Sequence, residues 1–210
     1  MASTASTSST PSVPPPGRVA GLLLAAGGGR RLGGRPKALL DHRGRPLVEH
    51  AARVLRDGGC DPVHIVLGAA ADAVRERADL TAYTTSENPN WAQGMGTSLR
   101  VGLAALAGSG ADAVVVSLVD QPGIGAEAVA RVVAAYEGRA SLASAAYEGR
   151  RGHPSLFGAD RWADIAASAE GDQGARDYLR QHAGVIKLIE CSDVAEPYDI
   201  DTPEDLRRLE

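Results

Sequence analysis

Unbroken apolar runs alternate along this chain with stretches in which apolar residues recur every three or four positions. Val19–Ala25 (VAGLLLA), Val63–Leu67 and Ala113–Val119 are continuous runs, the pattern of strands buried on both faces. After Pro46, Leu47, Ala51, Val54 and Leu55 fall on one helical face, and Gly58-Gly59 ends that pattern. The same spacing predicts helices over 69–78, 96–107, 127–136, 161–168 and 175–182, with Leu99, Leu103 and Leu106 inward in the second. Weaker strand signals lie at 82–85, 142–147, 154–157 and 185–190, and Pro203 opens a final helix ending at Leu209. Strands alternating with helices predict an α/β fold: one mainly parallel sheet between two helical layers, a three-layer α/β/α Rossmann-like arrangement.

Composition narrows the picture. Hydrophobic residues make up 44% of the 210 positions and aromatics 4%, so the core is aliphatic. A net charge of −4 speaks against broad nucleic-acid or anionic-membrane binding and leaves room for local basic loops. No apolar run reaches the roughly 18 residues of a membrane span. Cys60 and Cys191 lack any CxxC spacing and read as incidental thiols of a reducing cytoplasm. Residues 1–17, MASTASTSSTPSVPPPG, carry no charged side chain and no long apolar stretch. They are expected to be a disordered tail, neither secretory signal nor transit peptide, ahead of a single domain over 18–210.

The first strand runs into LAAGGGRRLGGRPK, Leu24 to Lys37. No GK[ST] follows the glycines, so this is not a P-loop. Leu32 stands where a dinucleotide fingerprint needs its third glycine. What remains is a flexible strand-to-helix loop whose bare backbone and four cations, Arg30, Arg31, Arg35 and Lys37, suit a phosphate; a solvated basic loop is the plainer alternative. Of 22 basic residues only Lys37 and Lys187 are lysine, which makes a lysine in this loop mildly unexpected. Asp120 ends a buried strand in VVVSLVDQP, where open α/β sheets bind ligands and where a carboxylate can hold a hard cation. It could equally be a turn residue before Pro122. In PYDIDTPEDL, Thr202 is placed as a helix N-cap with Asp205 at its third position. Asp199 and Asp201 precede it in extended chain and are expected to face opposite sides, so that only one shares a site with Asp120.

Together these motifs resemble the molybdenum cofactor (molybdopterin) nucleotidyltransferases, the MobA-like NTP transferases, across residues 19–209. LAAGGGRRLGGRPK is similar to the family's opening signature, with Leu32 in place of the usual Met; DQP and DIDTPEDL match its acid motifs. NPNWAQGMGTSL (88–99), GRRGHPSLF (149–157) and GDQGAR (171–176) resemble segments of the cytidylyltransferase (MocA-like) branch. The resemblance implies CMP transfer from CTP (or nucleotide transfer from GTP) to the phosphate of molybdopterin. It implies Mg²⁺ or Mn²⁺ on Asp120 and Asp201, and Arg31 and Lys37 as the catalytic cations. Leu24, Ala25, Ala26, Gly27, Gly28, Lys37 and Ser98 would line the nucleotide, and His153 and Arg176 the acceptor. A molybdoenzyme or its maturation chaperone is the implied recipient. Three alternatives stay open: another NTP transferase using GTP or a sugar phosphate, a non-catalytic molybdenum cofactor binding or maturation module, and a nicotinamide oxidoreductase, against which Leu32 counts.

Overall fold

The computed structural model describes residues 17–209. Seven strands form one sheet: β1 (Val19–Ala25), β4 (Val63–Leu67), β5 (Thr84–Glu87), β6 (Ala113–Leu118), β7 (Leu142–Tyr147), β8 (Arg150–Gly158) and β9 (Lys187–Glu190), in the order β5-β4-β1-β6-β8-β7-β9. All pairings are parallel except those of β8, which runs antiparallel to β6 and β7. Two short strands, β2 (Asp41–His42) and β3 (Arg45–Pro46), make a separate hairpin. Among the described residues six α-helices follow the periodic segments: α1 (Leu47–Asp57), α2 (Ala71–Arg77), α3 (Met95–Leu106), α4 (Ala126–Val133), α5 (Trp162–Ser168) and α6 (Arg176–Gln181).

Strand side chains alternate between the two faces, and each face has its own core. Leu23, Ala25, Ile65 and Leu67 pack with α1, α2 and α4, while Leu22, Leu24, Val66 and Phe157 pack with α3, α5 and α6. Leu22 and Leu23 are each 0% exposed. Burial of one such side chain contributes about 1.5–3 kcal/mol. The expected three-layer architecture is what forms.

Five details depart from expectation. The loop after β1 does not run directly into an α-helix. It closes into 3-10 turns at Arg30–Leu32 and Lys37–Leu39, and the Gly29 carbonyl accepts from Leu32 N (2.9 Å) and Gly34 N (3.0 Å). Gly29 has φ 62°, and a side chain there would meet the Arg35 carbonyl, so the position demands glycine. β8 begins at Arg150, not 154, because Glu148 and Gly149 (φ 52° and 73°) make a two-residue hairpin turn. Val185 belongs to a 3-10 turn ahead of β9, and Pro203–Leu209 is a 3-10 helix. There Asp205, not Thr202, does the capping: its carboxylate accepts from Thr202 N, Asp201 N and the Thr202 hydroxyl. The tail expected over 1–17 lies, apart from Gly17, outside the described residues.

Candidate active site

From β1 the chain moves to β4 and β5 on one side, then crosses to β6 on the other. The C-terminal ends of β1 and β6 therefore border the point where strand order reverses, the place where open sheets bind ligands. Leu24 pairs with Leu118 at that edge, the glycine loop leaves β1 there, and Asp120 follows β6.

The first cavity there, about 530 Å³, is lined by Leu24, Ala26–Gly29, Arg30, Arg31, Lys37, Trp91, Ser98, Asp120 and Asp201 among others. Trp91 lies against Gly28, so close that a side chain at Gly28 would touch its ring at 3.0 Å. Ser98 is held from behind: the buried Asn88 amide donates to its hydroxyl (2.9 Å) and to Thr97 (2.7 Å), and Asn90 N fixes the amide by donating to Asn88 Oδ1. With that lone pair used, the Ser98 hydroxyl proton is left to donate. Leu24, Ala26, Gly27, Gly28, Lys37 and Ser98 thus share one cavity. Ala25, the remaining expected nucleotide contact, points into the opposite core; alternation along β1 puts it on the other face from Leu24 and Ala26.

The floor of this cavity is a charge cluster. Lys37 Nζ donates to Asp120 Oδ2 (2.6 Å) and Asp201 Oδ1 (2.5 Å), and Arg31 Nη1 donates to Asp201 Oδ2 (2.8 Å). The Lys37 side chain is only 15% exposed, against 75% for Arg31. Burial is the largest influence on the Lys37 ammonium and lowers its pKa, but Asp120 and then Asp201 together hold it above the ordinary lysine value. The Lys37 hydrogen bond is the main cause that keeps Asp201 below the ordinary carboxylate value. Lys37 is therefore no solvated loop residue. Among the described residues no group of three or more His, Cys, Asp or Glu side chains is arranged to hold a metal. Asp120 and Asp201 nonetheless converge on a single cation, and two hard oxygens are a donor set that fits Mg²⁺ or Mn²⁺ when a phosphate or water completes the shell.

A second cavity, about 610 Å³, shares Arg31, Lys37, Asp120, Asp172 and Asp201 with the first and continues to Arg151, His153, Arg176 and Asp199. A third, about 600 Å³, adjoins it through Gln121, Arg151, His153 and Asp199. Asp199 corrects an expectation. Residues two apart in extended chain share a face; Ile200 between them is 0% exposed, and Asp199 and Asp201 both line the second cavity. Asp199 accepts from Gln121 Nε2 (2.7 Å), and burial raises its pKa. His153 lies within β8, with burial lowering its pKa. Its Nδ1 and Gln121 Oε1 are both buried without a protein partner. The hairpin carrying Arg151 and His153 is pinned at its tip: Glu190 accepts from Glu148 N, Gly149 N and Ser192 N. Those bonds, with one from the Ser192 hydroxyl as the largest cause, hold the Glu190 carboxyl down to about 2.

The motifs overlooked Arg151, Gln121, Asp172 and Glu190. Gln121 and Asp172 sit inside the quoted segments DQP and GDQGAR, and Arg151 precedes His153 by two; Glu190 leaves no mark in the sequence, because its role is to meet a turn more than 40 residues away.

The MobA-like NTP transferase domain matches residues 21–185. The chain belongs to this family. It is 33% identical over 196 residues to a molybdenum cofactor guanylyltransferase of Cereibacter sphaeroides, covering 92% of this chain and 96% of that one. It is 46% identical over 199 residues to a protein named nicotine blue oxidoreductase from Paenarthrobacter nicotinovorans, covering 91% and 96%. Among solved structures, the manganese complex of Rv0371c from Mycobacterium tuberculosis H37Rv superimposes with a TM-score of 0.73 at 28% identity, covering 91% of this chain and 97% of that one. This MobA-like protein is accordingly an enzyme of the nucleotidyltransferase type, with the expected fold. No helix among its described residues is long and apolar enough to cross a membrane.

Proposed function

We propose that the protein, through a catalytic unit spanning 18–210 and acting in the cytoplasm, transfers CMP from CTP to the terminal phosphate of molybdopterin and releases pyrophosphate. The observation that carries this reading is the Lys37–Asp120–Asp201 cluster at the junction of two cavities, one under the glycine loop and one ringed by His153 and Arg176. The first has the bare backbone, the aromatic wall and the cations that a nucleoside triphosphate needs. The second supplies Arg151 and Arg176 for an anionic acceptor.

The acceptor is a phosphate monoester with a second pKa of about 6, so it is ionised near neutrality and needs no base. Its oxygen attacks the α-phosphorus in line. A new P–O bond forms, the bond to the bridging oxygen breaks, and pyrophosphate departs with that electron pair. Lys37 and Arg31 hold and neutralise the triphosphate oxygens, while Ser98 and Trp91 orient the base. Asp120 and Asp201 would hold Mg²⁺ or Mn²⁺, which when bound supplies further neutralisation of phosphate charge. Arg151, Arg176 and His153 fix the acceptor.

CTP is favoured over GTP because the Ala26 methyl narrows the cavity wall, although the relative from Cereibacter sphaeroides is named for guanylyl transfer. A second reading, a redox enzyme using the same cavities, is favoured by the 46% identity to the protein named nicotine blue oxidoreductase. Leu32 counts against a dinucleotide there; it is 1% exposed and built into the core. One experiment separates the two. The protein is incubated with Mg²⁺, molybdopterin and each NTP while pyrophosphate is followed, and in parallel with nicotine blue and reduced nicotinamide while absorbance is followed. Pyrophosphate with CTP supports transfer; nicotinamide consumption without pyrophosphate overturns it.

A further inference from the structure

The two carboxylates that suit a divalent ion already have a cation. Lys37 Nζ lies 2.6 Å from Asp120 Oδ2 and 2.5 Å from Asp201 Oδ1, and Arg31 takes the remaining Asp201 oxygen at 2.8 Å. An ion bridging Asp120 and Asp201 would need their oxygens at roughly 2.1 Å. It would enter the space that Nζ fills, and it would set two positive charges against a third. Lys37 and the ion therefore exclude one another at this position.

We propose that Lys37 is the resident counter-ion of the Asp120–Asp201 pair, and that a divalent ion is admitted only when a nucleoside triphosphate draws the lysine away. This rests on the metal reading given under Proposed function and adds an order of binding to it. The lysine has somewhere to go. It lines the cavity under the glycine loop together with Gly27–Gly29 and Arg30, and an ammonium on a four-carbon stem can exchange carboxylate for phosphate oxygens by rotation alone. The arrangement also serves the entering anion. With Lys37 and Arg31 in place the two aspartates present no net negative charge, so a triphosphate meets a neutral floor. When pyrophosphate leaves, Lys37 returns and the carboxylates do not stand as an uncompensated pair, which is costly in a part-buried site.

The test is a Mn²⁺ titration of the full chain without nucleotide or acceptor, read as loss of the free-ion signal in electron paramagnetic resonance. Lys37→Met keeps the stem and removes the charge; Lys37→Gln is a second variant should the first fold poorly, with circular dichroism reporting the fold. The variants should bind Mn²⁺ at least about tenfold more tightly than the wild type, since a like charge has gone from the site. Replacing Asp201 by Asn in the same variant should abolish the gain. In the wild type, the α,β-methylene analogue of CTP should bring Mn²⁺ binding, counted beyond what the analogue takes up without protein, up to the level of the variants or above, and Asp201→Asn should remove that excess. Wild-type Mn²⁺ binding as tight as that of both variants, or a gain that survives Asp201→Asn, overturns the inference. Nucleotidyl transfer is judged separately by pyrophosphate, so a failure of that reading is seen as absent product whatever the titration gives.

Discussion

The two halves of the site are built by different means. On the nucleotide side the wall is the ends of two parallel strands, and its buried cation is satisfied within the protein, with Lys37 on Asp120 and Asp201. On the acceptor side the wall is the antiparallel β7–β8 hairpin and the 171–176 turn, and among the described ion pairs and side-chain hydrogen bonds neither Arg151 nor Arg176 takes part. His153 Nδ1 and Gln121 Oε1 are buried there without partners. In the first half the buried lysine is already paired before any ligand arrives, whereas the second, which Asp172 and Asp199 also line, holds Arg151 and Arg176 without a partner among the described contacts. On the proposed reading the half with the paired lysine suits chemistry at phosphorus, and the half with the unpaired arginines suits holding an anionic acceptor.

The largest effect should come from breaking the first half. Lys37→Ala is expected to lower kcat/KM about 10²-fold or more, the scale of losing one preorganised charge. Asp120→Asn and Asp201→Asn should each lose Mg²⁺-dependent turnover to a similar degree. Because Lys37 is part-buried between two carboxylates, Lys37→Ala should also lower the melting temperature, and Lys37→Ala/Asp201→Asn should recover part of that loss. Steady-state pyrophosphate release and thermal melts check both; near-normal turnover of Lys37→Ala would leave the cluster without a catalytic role.

Damage to the second half should be smaller and selective. Arg176→Ala, Arg151→Ala and His153→Ala should each raise KM for molybdopterin about 10-fold, the size of one charge-assisted hydrogen bond. CTP affinity by calorimetry should stay within about twofold, because none of these three side chains lines the cavity under the glycine loop. An equal loss of CTP affinity would mean the two cavities form a single binding unit.

The sequence pattern was enough for the layers, because continuous runs such as Val63–Leu67 and one-sided repeats such as Leu99, Leu103 and Leu106 are direct consequences of burial. The wall of the first cavity was legible for a related reason: Leu24, Ala26, Gly27, Gly28 and Lys37 lie in one segment after β1, so the quoted motif and that wall nearly coincide. The acceptor half depends on contacts across the chain. Nothing near Glu190 announces that it accepts from the Glu148–Gly149 turn. Asp199 was misplaced through the wrong periodicity, and Ala25 through a motif taken as one surface although the strand alternates. Lys37 looked like a loop cation because its two carboxylates are 83 and 164 residues away.

The hairpin anchor gives a pH test of that non-local half. Glu190 stays ionised in the folded protein down to about 2, against an ordinary value of 4.5. A lowered folded pKa means its contribution is complete above pH 4.5 and fades as pH falls toward 2. Glu190→Gln should therefore melt below the wild type at neutral pH, with the gap narrowing below pH 4.5 and closing only as pH falls through about 2. In the same variant KM for molybdopterin should rise while CTP affinity holds. A gap that does not change with pH would show that the side chain's charge is not what anchors the turn.

The smallest expected effect is the sharpest probe of how finely the first half is shaped. Ala26 leaves β1 at the cavity wall and is 6% exposed. It packs against bare backbone: a side chain on Gly68 would lie 2.7 Å from the Ala26 methyl. The methyl cannot retreat in that direction. On the proposed reading a pyrimidine would leave room for it and a purine would not. One methyl group of misfit is worth roughly 1–3 kcal/mol, or about 10- to 200-fold, so the wild type should prefer CTP over GTP by at least about tenfold in kcat/KM. Ala26→Gly removes the methyl but leaves the hydrogen-bonding groups on Ser98 and the loop backbone as they are. It should narrow the preference without inverting it, since a site that pairs polar edges rejects the wrong base by leaving its own groups unpaired. Paired CTP and GTP assays of both proteins check this. A wild type that prefers GTP would show that the base is read elsewhere than at Ala26, and would leave the transfer chemistry at Lys37, Asp120 and Asp201 untouched.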